Sequence, residues 1–348
     1  MFSVTNAKGF VNQQEQFEDR KMKGEDIAAY KIIFPSEFAY NPARINVGSI
    51  ARYDGKTECM ISSLYVCFKA NKELVDSQLL LHVLKSPKMV YKYGINGEGG
   101  VRMYLFYPNF SRIKVKLPSL KEQHKIASFL DLIEKRISVQ NKVIEKYESL
   151  IKALTQEAHK RATSSYFLRD VLAERKELNS KGFDICSVSV TKGVINQIEY
   201  LGRSFAAKET KHYHVVRHGD VVYTKSPTGD FPYGIIKQNY NENPAAVSPL
   251  YGVYEPITYE VGVYLHYYFC SPNNALNYLH PLIQKGAKNT INITNQHFLD
   301  NKVRIPDSKV LSKTVSTIIT ISSRLQLEER LLCQLQLQKQ FVLSNMFI

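Results

Sequence analysis

The stretch 117–162, LPSLKEQHKIASFLDLIEKRISVQNKVIEKYESLIKALTQEAHKRA, limits what this chain can fold into more than any other. Its apolar positions fall at Ile126, Leu130, Ile133, Ile137, Ile144, Tyr147, Ile151 and Leu154, with Gln140 at the single polar step. The steps alternate four and three residues, which is a heptad seam and not the broader stripe of a surface helix. Pro118 sits where a first-turn proline is tolerated, and no Pro or Gly follows until the pattern has ended. At about 1.5 Å per residue, some 40 residues make a rod on the order of 60 Å long. A rod with one narrow apolar seam requires a partner helix.

The chain contains one. Shifted by 188 residues, the C-terminus falls into register: Pro118 on Pro306, Ser128 on Ser316, Ile133 on Ile321 and Arg136 on Arg324. The seam reappears as Ile318, Ile321, Leu325, Glu328, Leu332, Leu335 and Val342, and its polar step is shared, Gln140 matching Glu328. A polar residue at a core position costs stability and fixes register. The two helices are therefore expected to pair antiparallel through Ile133, Ile137, Gln140 and Ile144 on one and Ile321, Leu325, Glu328 and Leu332 on the other, with the polar pair near the crossing point. The competing arrangements are pairing between chains and packing of each helix on its own domain.

The repetition reaches beyond the helices. Lys8-Gly9 lies on Lys192-Gly193, Asn12 on Asn196, Tyr30 on Tyr213, Tyr40 on Tyr223, Ser86-Pro87 on Ser271-Pro272 and Phe110 on Phe298. Each copy reads as a mixed α and β globular part followed by a long helix. Residues 30–40 and 213–223 are paired β-prone runs around a turn, and 64–68 and 250–254 are further strands. Residues 78–84 and 263–269 read as short helices stopped by Ser-Pro. A glycine- or asparagine-bearing loop follows (97–104, 286–292), then a last strand (113–117, 302–305) and the proline that opens the rod. The second copy has a lead-in, 166–185, before its first aligned residue. The first copy starts almost at that residue, so about 20 residues are expected to be missing from its front.

A chain of 348 residues fits two domains. The net charge of +14 is spread along the chain and favours polyanions such as nucleic acid. No apolar run approaches the ~18 residues of a membrane span, and the first residues are no signal peptide. Five cysteines without a CxxC pair point to free thiols in a reducing cytoplasm.

The motifs of catalysis are missing. There is no GxxxxGK[ST], no GxGxxG after a strand and no GxSxG. Asn41-Pro42 is followed by Ala43-Arg44, so it is not the Asn-Pro-Pro-aromatic motif of adenine methyltransferases. His212, His214 and His218 lack a matched carboxylate or cysteine and read as a strand face, not as a metal site. No metal and no cofactor is expected on this chain. What remains is a surface suited to DNA, where Arg, Lys, Asn and Thr address bases and phosphates. The candidates are Asn41, Arg44, Asn46, Arg52 and Arg102 in the first copy, and Thr224, Lys225, Thr228, Lys237, Lys288 and Asn289 in the second. They occupy equivalent loops but differ in identity, as expected of one scaffold carrying two specificities.

These residues resemble a known family. The run 117–154 closely resembles the central conserved region of type I restriction-modification specificity subunits, and LRDVLAERKE from Leu168 resembles the start of one of their target domains. The last 44 residues keep the proline and the seam but lack the Glu122-Gln123 pair. The resemblance implies an α+β chain of two target recognition domains, 1–117 and 166–305, each followed by a long helix, 118–165 and 306–348, the helices pairing antiparallel. It implies a non-catalytic cytoplasmic subunit of a prokaryote that reads one half of a bipartite double-stranded DNA site with each domain. Its rod would set the spacer and dock two modification subunits. S-adenosylmethionine would sit on those subunits, and ATP and Mg²⁺ on restriction subunits where these are present. The alternative is an orphan or truncated relative acting as a regulator or anti-restriction decoy.

Overall fold

The computed structural model describes residues 1–345 except 7, 13–28, 101, 204–208 and 286–290. It falls into two compact units, Met1–Lys142 with Glu329–Ile348, and Val143–Glu328. Each carries a copy of one shared succession of strands and helices, to which the second adds elements of its own.

The first unit opens with a hairpin of β1 (Phe2–Thr5) and β2 (Gly9–Asn12). Then come β3 (Lys31–Ile33), β4 (Phe38–Tyr40), β5 (Ile50–Arg52), β6 (Cys59–Ile61) and β7 (Val66–Phe68). They form a four-stranded sheet, β2-β1-β6-β3, and a three-stranded sheet, β5-β4-β7. Helices α1 (Ser77–Leu84), α2 (Pro87–Asn96) and α3 (Tyr107–Ser111) follow, and then α4 (Leu120–Arg161).

The second unit begins with a segment that has no counterpart among the described residues of the first: β8 (Ser164–Phe167), the helical turn α5 (Leu168–Val171) and β9 (Leu172–Glu174). The repeat then resumes with the hairpin of β10 (Cys186–Ser189) and β11 (Gly193–Asn196), and the short helix α6 (Gln197–Leu201). The strands β12 (His214–Val216), β13 (Val221–Thr224), β14 (Ile235–Gln238), β15 (Ala245–Val247) and β16 (Gly252–Pro256) correspond to β3 to β7. Helices α7 (Tyr259–Phe269) and α8 (Pro272–Leu279), the strand pair β17 (Gln284–Lys285) and β18 (Ile291–Asn292), α9 (Asn295–Phe298), β19 (Lys302–Ile305) and α10 (Ser308–Asn345) complete it.

The repetition holds to the residue. Phe2 pairs with Asn12 and Thr5 with Gly9 in one hairpin, and Cys186 with Asn196 and Ser189 with Gly193 in the other. The cores match as well. Phe110 packs on Tyr40 (ring centroids 4.8 Å apart) and on Phe68 (5.2 Å). In the second unit Phe298 stacks on Tyr223 (4.5 Å) and Tyr254 (4.9 Å). Aromatic pairs at such spacings add about 0.5–1.5 kcal/mol beyond their buried area.

Local differences from the sequence reading have local causes. The runs 30–40 and 213–223 do form two strands each, but these strands do not pair with each other. β3 and β12 bond to β6 and β15, whereas β4 and β13 sit between β5 and β7 and between β14 and β16. The turn is a corner between sheets. It needs a left-handed residue, supplied by Gly219 (φ 88°) in one unit and by Ser36 (φ 72°) in the other. The Ser-Pro steps do not only stop helices: each opens a second one, α2 and α8, with Pro at its first turn. Finally, 302–305 is a strand but 113–117 is not. β19 pairs with β8, and the first unit has no described equivalent of β8 to bond.

Both helices run as the heptads require. Every seam residue of α4 from Ile126 to Leu154 is buried or half-buried, and so are Ile318, Ile321, Leu325, Glu328, Leu332, Leu335 and Val342 on α10. In the first unit Ile126, Ala127 and Leu130 share a core with Val342 and Leu343, and Lys339 ion-pairs with Glu134. In the second, Ile151, Leu154 and Ala158 share a core with Leu311, Val315, Ile318, Ile321 and Leu325. The start of α4 thus meets the end of α10 in one unit and its end meets the start of α10 in the other, so within each unit the segments run antiparallel. Gln140 is buried on α4, and Glu328, buried on α10, bonds Arg324 one turn earlier at 2.7 Å.

Candidate nucleic-acid interface

In the first unit the β4–β5 connection carries Asn41, Arg44 and Asn46. Asn41 folds back on itself, its Oδ1 accepting the Ala43 amide at 3.0 Å, and leaves Arg44 and Asn46 exposed. The loop bearing Arg102 is closed by mutual backbone hydrogen bonds between Glu98 and Tyr104. It is tied to the first loop where the Leu105 amide donates to the Pro42 carbonyl at 3.0 Å. The structure therefore brings Arg44, Asn46 and Arg102 to neighbouring loops. Beside them stand aromatic rings that the sequence reading missed: Tyr104 and Phe106 stack at 5.8 Å and are 37% and 50% exposed, and Tyr107 is 50% exposed. Exposed rings next to arginines suit base stacking and phosphate contact.

Arg52 is placed differently. Its Nε donates to Asp54 at 2.6 Å and its Nη1 to Ser77 at 3.1 Å, which engages the guanidinium within the unit.

In the second unit the equivalent β13–β14 loop is 225–234, pinned by paired backbone bonds between Thr228 and Phe231. Gly234 lies so close to the Thr224 carbonyl that any side chain would clash with backbone. Thr228 is exposed at the loop tip. Lys225 is half-buried, and burial holds its ammonium below the usual lysine range against the opposing pull of Glu174. Two expectations need correction. Thr224 and Lys237 are 3% and 5% exposed and are not surface groups. Both lie on strands covered on either face. β14 sits under α7, where the Gln238 amide donates to His266 Nδ1 at 3.0 Å, and the Lys237 ammonium reaches Cys270 Sγ at 3.2 Å. Lys288 and Asn289 lie outside the described residues.

The three histidines of the second unit go separate ways: His214 Nδ1 lies 3.2 Å from the Tyr251 carbonyl oxygen, and His218 stacks on Tyr259. One group of potential metal ligands exists among the described residues, His82, Asp131 and Glu134, with ligating atoms within 4.8 Å of one another. Its carboxylates are already engaged, Asp131 by the Gln78 amide at 2.7 Å and Glu134 by the Lys339 ammonium. A lysine so placed opposes a second cation.

Two register-matched α/β units, each followed by a long helix and each displaying a different loop set at the same position, define a tandem-repeat protein. Residues 3–149 match the family of type I restriction modification DNA specificity domains. A protein of Methanocaldococcus jannaschii named as the type I restriction enzyme MjaX specificity subunit is 27% identical over 147 residues, 41% of this chain and 34% of that one. A Haemophilus influenzae protein named as the specificity subunit S.HindORF215P is 34% identical over 88 residues, 25% of this chain and 22% of that one. The alignments thus span about a third and about a fifth of these relatives' own length. The S subunit of the type I restriction-modification system of M. genitalium shares the fold, with a TM-score of 0.58 over 90% of this chain and 83% of its own at 11% identity. The first 149 residues are thus similar to type I restriction-modification DNA specificity domains, and the chain as a whole shares its fold with a type I S subunit. No helix among the described residues is long and apolar enough to cross a membrane.

Proposed function

We propose that each unit reads one half of a bipartite double-stranded DNA site and that the paired helices set the unread spacer and dock two modification subunits. The observation that carries this reading is the residue-for-residue repetition of the scaffold with unlike loops on it: Asn41, Arg44, Asn46 and Arg102 in one unit, Lys225 and Thr228 in the other. A duplicated frame with divergent loops serves two different half-sites, and a rigid connector fixes their separation as dimer geometry does in helix-turn-helix proteins. α4 also shows an outward apolar row in the first unit, Phe129, Leu132 and Val139, each more than half exposed, which suits a partner surface. The chain itself performs no chemistry in this scheme. S-adenosylmethionine belongs to the modification subunits, and ATP and Mg²⁺ to restriction subunits where these join.

The test is selection from random duplexes by the complex of this chain with its modification subunit. Two short motifs separated by a fixed gap are expected, and Arg44→Ala or Arg102→Ala should degrade one of them only. Enrichment of a single uninterrupted motif, or of none, would overturn the reading. A second reading, a regulator or anti-restriction decoy, is favoured by one observation, the lack in the first unit of described counterparts to β8 and β9. It requires a stable complex with modification subunits that methylates nothing.

A further inference from the structure

Four large apolar side chains that stand in water belong to two joined loops of the first unit. Tyr104, Phe106 and Tyr107 lie on the run that leads into α3, and Val47, 55% exposed, lies on the β4–β5 connection. The loops are tied at Leu105, which is fully buried and whose amide donates to the Pro42 carbonyl at 3.0 Å. Side chains alternate along extended backbone, so burying Leu105 turns Tyr104 and Phe106 outward together. Their rings lie 7° from parallel.

The rings have a firm backing. Tyr104 and Glu98 exchange both backbone hydrogen bonds at 2.8 Å. Tyr107 packs on Phe110 at 6.5 Å between centroids, and Phe110 packs in turn on the buried rings of Tyr40 and Tyr93. The Tyr40 hydroxyl is buried with no hydrogen-bond partner among the described residues, and burial and the neighbouring Tyr107 both hold its proton on. In the second unit the matching Tyr223 hydroxyl donates to the Tyr233 carbonyl at 2.8 Å. An acceptor arriving beside Tyr107 would satisfy the Tyr40 donor as that carbonyl satisfies its counterpart.

The charge around the rings is positive. Arg44 lies on one loop and Arg102 on the other, both exposed and neither ion-paired among the described residues. The nearby Glu98 carboxylate is engaged by the Asn109 amide. Aromatic rings rimmed by guanidinium groups fit a polyanion with flat apolar faces inside it, which is nucleic acid. With Phe110 matched to Phe298, the places of Tyr104, Phe106 and Tyr107 fall to Asn292, Thr294 and Asn295, so the second unit carries no such rings there.

We propose that Tyr104 and Phe106, backed by Tyr107, form an aromatic wedge that enters one base step of the half-site read by the first unit, while Arg44 and Arg102 hold the flanking phosphates. This role rests on the reading of that unit as a DNA half-site reader and adds how it reads. Inserted apolar side chains unstack and kink a step, and pyrimidine–purine steps yield most easily. The first half-site therefore contains such a step and is selected partly by its deformability, and the second is read without a wedge.

The test uses the complex of this chain with its modification subunit, without S-adenosylmethionine, on duplexes carrying the selected bipartite site with 2-aminopurine at one position at a time. The methylated adenine stays unlabelled, because methyltransferases extrude their target base themselves. A several-fold rise in fluorescence on binding is expected at one step of the first half-site and at none of the second. Tyr104→Ala with Phe106→Ala should abolish the rise and weaken binding about tenfold. The rise in the unaltered protein remains the readout should that variant misfold. Bipartite binding with no rise in the first half-site, with an equal rise in the second, or with a rise that survives loss of both rings would overturn the wedge and leave the half-site reading intact. Binding with no bipartite preference would remove the half-site reading and the wedge with it.

Discussion

Lys114-Val115-Lys116-Leu117 and Lys302-Val303-Arg304-Ile305 are nearly the same sequence at the same place in two copies of one fold. One is irregular with its valine half out in solvent, and the other is a buried strand. Neither propensity nor pattern separates them. What differs is the presence of Ser164–Phe167 to bond the second. A strand at the margin of a domain is made by its partner, because backbone groups must be paired before they can be buried. The same contrast recurs at the corner turn, where Asp220 is sealed by Arg175 and Glu37 is not.

The comparison can be broken most forcefully at Arg175. Arg175→Ala leaves a buried carboxylate unpaired and should cost the second unit about 3–5 kcal/mol, whereas Glu37→Ala in the first should cost under about 1 kcal/mol. Urea denaturation followed by unit-resolved hydrogen exchange checks both. Equal losses would mean that the corners are energetically alike.

The next effect comes from acid. His266 is buried among Tyr240, Tyr267 and the Gln238 amide, and burial holds its pKa down to about 3, with the nearby Lys237 pulling the same way. The folded second unit therefore keeps His266 neutral, while the unfolded chain takes up a proton below about 6.5. Stability is full above that pH and falls by about 1.4 kcal/mol per unit as pH drops toward the folded value. The first unit has Leu81 at the matching place. His266→Leu should flatten this limb of the pH–stability curve, and an unchanged slope would assign it to other groups.

A smaller difference is expected between the valines. Val303→Ala should destabilise the second unit by about 2 kcal/mol, and Val115→Ala the first by under about 0.5 kcal/mol. Smallest are the loop substitutions. Each of Arg44→Ala and Arg102→Ala should lower the salt dependence of DNA binding by about one phosphate equivalent if it touches backbone, or relax one base position at about 1–3 kcal/mol if it touches a base.

The frame of the molecule was legible because it is written in periodicity. The heptad positions of α4 and α10 are the buried ones, and the matches of Tyr40 with Tyr223 and of Phe110 with Phe298 mark the same core contact in both units. The site was less legible. Thr224 and Lys237 look like loop groups until α7 is laid over β14, which no local pattern announces. Arg52 has the right chemistry for a phosphate but is engaged by Asp54 and Ser77. Nothing in the sequence marks Tyr104, Phe106 and Tyr107 as exposed rings, and only the tertiary fold shows it. Ser86-Pro87 reads as the end of one helix, although a serine followed by proline is equally the start of another.

The most direct measurement is a map of methylated adenines in host DNA after co-expression of this chain with its modification subunit. A motif of two defined halves with a constant gap is predicted, with Arg102→Ala altering one half and leaving the gap unchanged. Methylation at a motif with no gap, or a gap that varies from site to site, would contradict two reading units held apart by paired helices.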